Sequence, residues 1–533
     1  MKKGAILRVS IVLLVCVSLG SFFVPSTAAQ TGFKLTSIVR RHDSSPDGNP
    51  FFGCDTCVGE IAGPRAFNDR GDLVIRTALE GYCDLAGFLI SGTEKIPLTV
   101  GCQQTAWGEL QFDEAAINEQ SQVVFTVYSY VDNQFNKMVL FSYQNGALTP
   151  LAGDGDPTPI STIFSRTSLV GPAINDKGDI IFEGFSIDDH GRERADIFMY
   201  SDDERRSIVG SGNPSPKGGQ FSFVRLTSSP QVNASGEVLF YSSVVEGPAH
   251  QTDGLFQITR DEIKKVVVTG DNLPAGRRVD APLGSLNDKG EVAFISNAND
   301  LFTQQDAGIY LYSGGLIQKV MTVGEAIPGG GHFGSFLKTG YVYPGPRINN
   351  NSAIAFKAYV KDRDSHVAIF LASPRAIIKV VAVGDALPTG ETIKSIDTFA
   401  LNNLGNRGQH RNLPAIGLIF FAVGMNQIAL LKLNRDEDVS RRHHREEQMA
   451  DRHTRIYHRL LGQGMVLSTR TGVTNTIATL CAGSAGLTRR ATGCRLNCVR
   501  RHDTRDNRQR YCYSPPYSLH NVSSRDASGD RHN

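Results

Sequence analysis

Pro346-Arg347-Ile348-Asn349-Asn350-Asn351-Ser352-Ala353-Ile354-Ala355-Phe356 is one copy of a pattern that returns along most of the chain. Ala173-Ile174-Asn175-Asp176-Lys177-Gly178-Asp179-Ile180-Ile181-Phe182 is another, and Val232-Asn233 through Gly236 to Phe240 and Leu286-Asn287 through Gly290 to Phe294 repeat it. The common content is Asn-x-x-Gly followed by an alternating apolar run that ends in Phe. These residue types fit a hairpin: an apolar residue ends one strand, Asn and Gly form a turn with one position at positive φ, and the run begins the return strand. With Asn as the marker, copies stand at Asn68, Asn118, Asn175, Asn233, Asn287, Asn349 and Asn402, at spacings of 50, 57, 58, 54, 62 and 53 residues. The glycine is missing from Asn118-Glu119-Gln120-Ser121 and from Asn349 through Ser352, and an insert from Asn406 to Leu413 follows the last copy.

Further strands recur between markers. One reads Ala307-Gly308-Ile309-Tyr310-Leu311-Tyr312, and the next reads Ile377-Ile378-Lys379-Val380-Val381-Ala382-Val383 and closes with Gly384-Asp385-Ala386-Leu387-Pro388. A short strand such as Phe221-Ser222-Phe223 precedes each Asn. Each unit thus holds about four short strands, the content of one antiparallel propeller blade. The ends of the array are complementary. Thr36 to Pro46 matches the strand that closes in Gly-Asp-x-x-Pro, with His42 in place of the Gly, and Ile428 to Leu433 matches the strand just before it. A ring explains the match, because the N-terminal strand then completes the last unit and removes two open edges. The sequence therefore predicts an all-β fold: a seven-bladed β-propeller of four-stranded antiparallel blades, closed by its N-terminal strand and followed by a disordered tail. Since the longest connector follows Gly-Asp-x-x-Pro, that strand is expected on the outside of each blade. A solenoid would instead need distinct polar caps.

Three segments differ in composition. Lys2 and Lys3, the apolar run Ile11 to Val24 and Ser26-Thr27-Ala28-Ala29 read as a signal peptide over residues 1–29, and no later stretch is long enough to span a bilayer. Residues 30–434, the repeat domain, carry 34 basic and 43 acidic residues, which argues against a nucleic-acid partner. Residues 435–533 carry 18 Arg, no Lys, 10 acidic residues and seven of the thirteen His. This tail has no repeat register and reads as disordered or as a shifted reading frame in place of the native end.

Cysteines cluster at Cys54, Cys57, Cys83 and Cys102, with none from there to Cys481. In an exported chain they are disulfide candidates with three possible pairings, and a four-cysteine zinc site is the alternative, since Cys54-x-x-Cys57 has ligand spacing. The residue after the Gly of Gly-Asp-x-x-Pro is Asp154, Asp271, Glu325 or Asp385 in four units and Asp43 in the opening strand. Two readings follow. The five acids form a cation or ligand ring on one face, with calcium or an amine as its occupant, or each caps its own turn, which is the favoured reading. His42, His190, His250, His332, His366 and His410 form no ligand pair, and neither a Gly-x-Ser-x-Gly elbow nor a phosphate-binding loop is present. Trp107 is the only Trp, which argues against a lectin built on Trp platforms.

Asn287, Gly290, Ala293 and Phe294 are the fullest copy of the motif, and on this motif the chain resembles a family of exported bacterial proteins with tandem Asn-x-x-Gly-x-x-Ala-Phe repeats (NxxGxxAF) over residues 36 to 434. Ile181 and Leu239 replace the Ala in two copies and Ser352 replaces the Gly in a third. The resemblance implies a secreted or cell-surface repeat protein of no assigned activity. No catalytic constellation, cofactor or metal set stands out from the sequence. The expected function is that of an exported, non-catalytic binding module for an extracellular protein or glycan, and the alternative is a hydrolase or lyase acting on extracellular polysaccharide from a propeller scaffold.

Overall fold

The structure is a computed structural model that describes residues 33–435 except 41–42, 47, 52–59, 64, 80–84, 100–103, 133, 202–203, 223–228, 248–249, 261, 297–306, 328–329, 337–344, 362–365, 375, 387–389, 391, 404–417 and 424–427. The signal segment, the four candidate disulfide cysteines, His42, His410 and the Arg/His-rich tail lie outside the described residues.

The described strands form seven antiparallel sheets, six of them built from neighbouring stretches of chain. The first contains Glu60–Ile61, Leu73–Ala78, Leu85–Ser91 and Glu94–Thr99, and the third Ile163–Ile174, Ile180–Ile187, Glu193–Ser201 and Glu204–Gly210. The second gains the short strand Gln104–Thr105 at its edge. In the fourth and sixth the innermost strand is broken in two, Gln220–Ser222 with Gln231–Val232 and His332–Phe336 with Arg347–Ile348. Six of the seven sheets end with the strand that runs into Gly-Asp-x-x-Pro or a one-residue variant of it, where the sequence places the outer edge. The remaining sheet joins the two ends of the repeat: Ser395–Leu401, Leu418–Val423 and Ile428–Arg435 are followed by Phe33–Arg40, which pairs antiparallel with the last of these from Phe33 opposite Arg435 to Arg40 opposite Ala429. The fold is a β-propeller of four-stranded antiparallel blades closed by its N-terminal strand.

The apolar side chains lie between blades. One buried cluster joins Ala116, Val124 and Leu140 of the second sheet to Phe164, Leu169 and Phe182 of the third. Others link the third to the fourth through Ile181, Ile197 and Phe240, the fourth to the fifth through Leu239, Val267 and Phe294, and the sixth to the seventh through Ala355, Ile369 and Phe399. A middle strand therefore has both faces covered, and it reads as a nearly continuous apolar run, as in Val123-Val124-Phe125-Thr126-Val127, all buried. The Phe that ends the motif is part of this packing. Phe125 stacks on Phe141, Phe182 on Phe198, Phe240 on Phe256 and Phe356 on Phe370, at centroid distances of 5.8, 5.6, 5.6 and 5.6 Å. In each of these pairs the two rings face one another across adjacent strands, where aromatic pairs add about 0.5–1.5 kcal/mol to area burial.

Candidate functional site

From Asn68 to Asn349, each marker Asn opens a turn in which its carbonyl accepts the N–H three residues on, for example Gly178 N to Asn175 O at 3.1 Å and Ser352 N to Asn349 O at 2.9 Å. The donor of that bond has positive φ: +91° at Gly71, +88° at Gly178, +87° at Gly236 and +74° at Gly290, but also +60° at Ser121 and +59° at Ser352. Glycine adopts this backbone without steric cost. Serine replaces it in two copies while Asn is never replaced, so the Asn has work beyond the turn. Its Oδ1 accepts two N–H groups of its own turn, those of Lys289 and Glu291 for Asn287, each at 3.0 Å. Its Nδ2 donates to the next blade. Asn68 donates to Asn118 O, Asn118 to Asn175 O, Asn175 to Asn233 O, Asn233 to Asn287 O, Asn287 to Asn349 O and Asn349 to Asn402 O, at 3.0–3.2 Å. Asn402 donates to Asn68 O at 3.0 Å and closes the circle.

A second circle lies beside the first, made by the residue after each Asn. Asp69 N donates to Glu119 Oε1 (2.8 Å), Glu119 N to Asp176 Oδ1 (2.9 Å), Ala234 N to Asp288 Oδ1 (2.8 Å), Asp288 N to Asn350 Oδ1 (2.8 Å), Asn350 N to Asn403 Oδ1 (2.7 Å) and Asn403 N to Asp69 Oδ1. The link from Asp176 to the following blade is missing, because Ala234 has no side-chain acceptor to offer.

Members of both circles, with Arg65, Gln231, Ser285 and Arg347, line an axial cavity of about 110 Å³. Arg65 crosses the axis: its Nη1 donates to Val232 O and its Nη2 to Leu286 O at 3.0 Å, both on the opposite side of the ring. Burial lowers its pKa, and the charges of Asp288 and Asp176 partly offset that. Arg347 is lowered to about 10 by burial and then by the charge of Arg65. On the acidic side, Glu119 is raised to about 7, mainly by burial, with Asp69, Asp176 and Asp72 adding repulsion against the hydrogen bond from Asp69 N. Asp69 is also raised by burial, against hydrogen bonds from Asn403.

A further charged cluster sits where two adjacent blades meet. Asp113 and Glu114 lie at a bulge in the strand Gly108–Ile117, between the paired residues Phe112 and Ala115. Arg76 binds Asp113 Oδ1 at 3.1 Å and also Glu60. Glu114 Oε2 accepts Gly171 N at 3.0 Å, and the carboxyl is raised to about 7 by burial and by Asp113. The position of Arg76 is held in the sixth blade by Lys357, whose Nζ donates to Ile396 O at 3.0 Å and Asp397 O at 3.2 Å, and burial lowers its pKa to about 8.

The five acids singled out from the sequence lie elsewhere, each bound within its own blade. Asp43 Oδ2 accepts Arg40 N (2.9 Å), Asp154 Oδ2 accepts Met138 N (2.8 Å), Asp271 Oδ2 accepts Val268 N (2.9 Å), and Asp385 Oδ2 accepts Ala382 N (2.7 Å). Glu325 accepts the Thr322 hydroxyl at 2.9 Å and Lys319. None of the five lines the axial cavity. Among the described residues, no group of three or more His, Cys, Asp or Glu side chains is placed to hold a metal ion. Trp107 packs edge-on against Phe141 at 5.2 Å. The axial groups were visible in the sequence as Asp69, Glu119, Asp176 and Asp288 directly after the marker, and as Arg347 where other copies carry Ala66, Ala116, Ala173 or Ala400. What the repeat alone did not reveal is that these residues meet.

Residues 24–274 and 228–413 match the model of a family described as a family of unknown function, DUF7453. The chain belongs to this family. Two overlapping spans suit a DUF7453 protein built as a repeat, in which one unit can align in more than one register. No curated protein matches the sequence. Among solved structures, the chain is similar to a Trypanosoma rangeli sialidase in complex with the inhibitor DANA, at 7% identity over 79% of this chain and 63% of the sialidase, with a TM-score of 0.35. It is similar also to the β-propeller domain of the Trilobed protease from Pyrococcus furiosus, at 7% identity over 70% of this chain and 97% of that domain, with a TM-score of 0.35. The match thus spans under two thirds of the sialidase's length, and neither likeness bears on what this DUF7453 protein binds or does. Among the described residues, no helix is long and apolar enough to cross a membrane.

Proposed function

We propose that the protein is an exported, non-catalytic, seven-bladed propeller that serves as a binding module for an extracellular protein or glycan. One observation carries this reading. The Asn amides and the side chains that follow them on the axis are engaged in joining blades: the amides of seven Asn and the acceptors of Asp69, Glu119, Asp176, Asp288, Asn350 and Asn403 are held by backbone N–H or C=O groups of neighbouring units. Such a constellation makes a rigid platform, whereas catalysis needs a nucleophile or base free to reach a substrate. The test incubates the full chain with a panel of bacterial and host polysaccharides and measures both retention and the release of new chain ends. Saturable retention without cleavage is expected, and chain-end release that tracks the purified protein overturns the reading.

A second reading, a hydrolase or lyase directed at extracellular polysaccharide, draws on Glu114. A buried carboxyl raised to about 7 beside a second carboxyl, itself bound to Arg76, is an arrangement from which a general acid can act. If release is seen, Glu114→Gln should abolish it while leaving retention intact.

A further inference from the structure

We propose that the axial cavity is a binding site for a small monocarboxylate, held by the guanidinium of Arg347 and the hydroxyl of Ser285.

The case starts from an unpaired cation. Arg347 belongs to the two-residue strand Arg347–Ile348, is 8% exposed and lines the cavity. Its side chain makes no hydrogen bond or ion pair among the described residues, and its Nε is sealed from solvent without an acceptor. Other arginines withdrawn from water are partnered. Arg65 donates to two carbonyls, and Arg76 binds Asp113 and Glu60. A guanidinium removed from water and left without an acceptor is costly, so an isolated one signals a partner that the chain itself does not supply. Nor does the fold need a charge here: Ala66, Ala116, Ala173 and Ala400 fill the equivalent place in four other units.

The surroundings select the ligand. Ser285 holds the equivalent position in the adjacent blade, is 4% exposed, and its Oγ accepts Ile348 N at 3.0 Å, which leaves the hydroxyl proton to donate. Gln231, one blade further, is used at both ends, donating to Gly284 O at 2.9 Å and accepting Leu286 N at 3.0 Å. Arg65 adds a second positive charge close enough to Arg347 to disfavour its ionisation. Two cations and a hydroxyl donor call for an anion. A guanidinium edge presents parallel N–H groups that match a planar carboxylate. The cavity of about 110 Å³ is several times the roughly 30 Å³ that one water takes in the liquid, and suits an anion of a few heavy atoms. Asp69, Glu119, Asp176 and Asp288 line the same space and repel an anion in proportion to its charge, which disfavours a dianion more than a monoanion.

The test titrates the full chain with sodium acetate, with sodium chloride and inorganic phosphate in parallel, by calorimetry and by the shift in melting temperature. Saturable acetate binding is expected, weakened at least about tenfold in Arg347→Met, as loss of a charge-assisted bidentate contact implies, and weakened to a smaller degree in Ser285→Ala. Absence of saturable acetate binding, binding unchanged in Arg347→Met, or chloride or phosphate binding as tight as acetate overturns the proposal. Should Arg347→Met not fold, ¹³C-acetate on the wild-type chain decides. Line broadening relieved by excess formate supports the site, and an unaffected line overturns it.

Discussion

Replacing Asn287 with Asp tests whether the circle of amides holds the ring together. Asn287 is 3% exposed, and its Nδ2 donates to Asn349 O at 3.0 Å and to Glu291 Oε2 at 2.7 Å. Asp is nearly isosteric and keeps the two bonds accepted from Lys289 N and Glu291 N. It turns the donor into a second oxygen, which then faces a carbonyl and a carboxylate. Losing one neutral and one charge-assisted bond costs about 3 kcal/mol together. In the wild type burial pushes Glu291 up, but hydrogen bonds from Ser352 and Asn287 and the charge of Lys289 hold it below the usual range. With Asp at 287, two carboxylates face each other at this distance, and repulsion favours uptake of a proton. The sign follows. The new carboxyl has a folded-state pKa above its unfolded value of about 3.9, so destabilisation grows as pH rises through the folded pKa and shrinks below it. Urea unfolding of the full chain should show a markedly lower midpoint for Asn287→Asp at about pH 8 and partial recovery at about pH 5, while Asn287→Ala, which loses all four bonds, shows no such recovery. An Asn287→Asp midpoint within error of wild type at both values would refute the inter-blade role.

Other outcomes follow from the same geometry. Glu114 and Glu119 are each raised to about 7 from an ordinary 4.5, so the stability tied to their protonated forms is fully present below about 4.5 and lost as pH rises through 7. The double variant Glu114→Gln with Glu119→Gln should flatten the fall in melting temperature over that window, and an unchanged slope counts against the burial of both carboxyls. Deleting residues 33–40 removes the partner of Ile428–Arg435 and opens an edge strand, so gel filtration should show aggregates that the wild-type chain does not form; an elution profile unchanged from wild type would mean that the ring does not depend on that strand. Calcium should leave the melting temperature unchanged, because Asp271 and Asp385 already accept Val268 N and Ala382 N. A calcium-dependent rise that vanishes in Asp271→Asn with Asp385→Asn would restore the cation ring.

How much could be read from the sequence depended on whether the information was local. The turn is local: Asn175 through Gly178 specifies its backbone, and Gly178 does take positive φ. The alternating runs that follow each turn are strands, and the half-unit at each end of the repeat implied the pairing now seen between Phe33–Arg40 and Ile428–Arg435. Gly-Asp-x-x-Pro marked the outer edge of most blades, and its Asp was legible as a turn cap where donor and acceptor are only three residues apart, as in Asp271 and Val268.

What the repeat could not show is where units meet. The bond from Asn402 Nδ2 to Asn68 O joins residues 334 apart, and Arg65 reaches carbonyls 167 and 221 residues away. Sequence alone determined that the chain is a closed β-repeat and that Asn is its fixed residue, since turn and strand preferences act within a few residues. Only the tertiary structure decided that the amides form a circle, that the acids after them share one small cavity with Arg65, and that Arg347 stands in it unpaired. The reason is physical: hydrogen bonding and Coulomb interaction act through space, and only ring closure brings residues from distant blades within about 3 Å of one another.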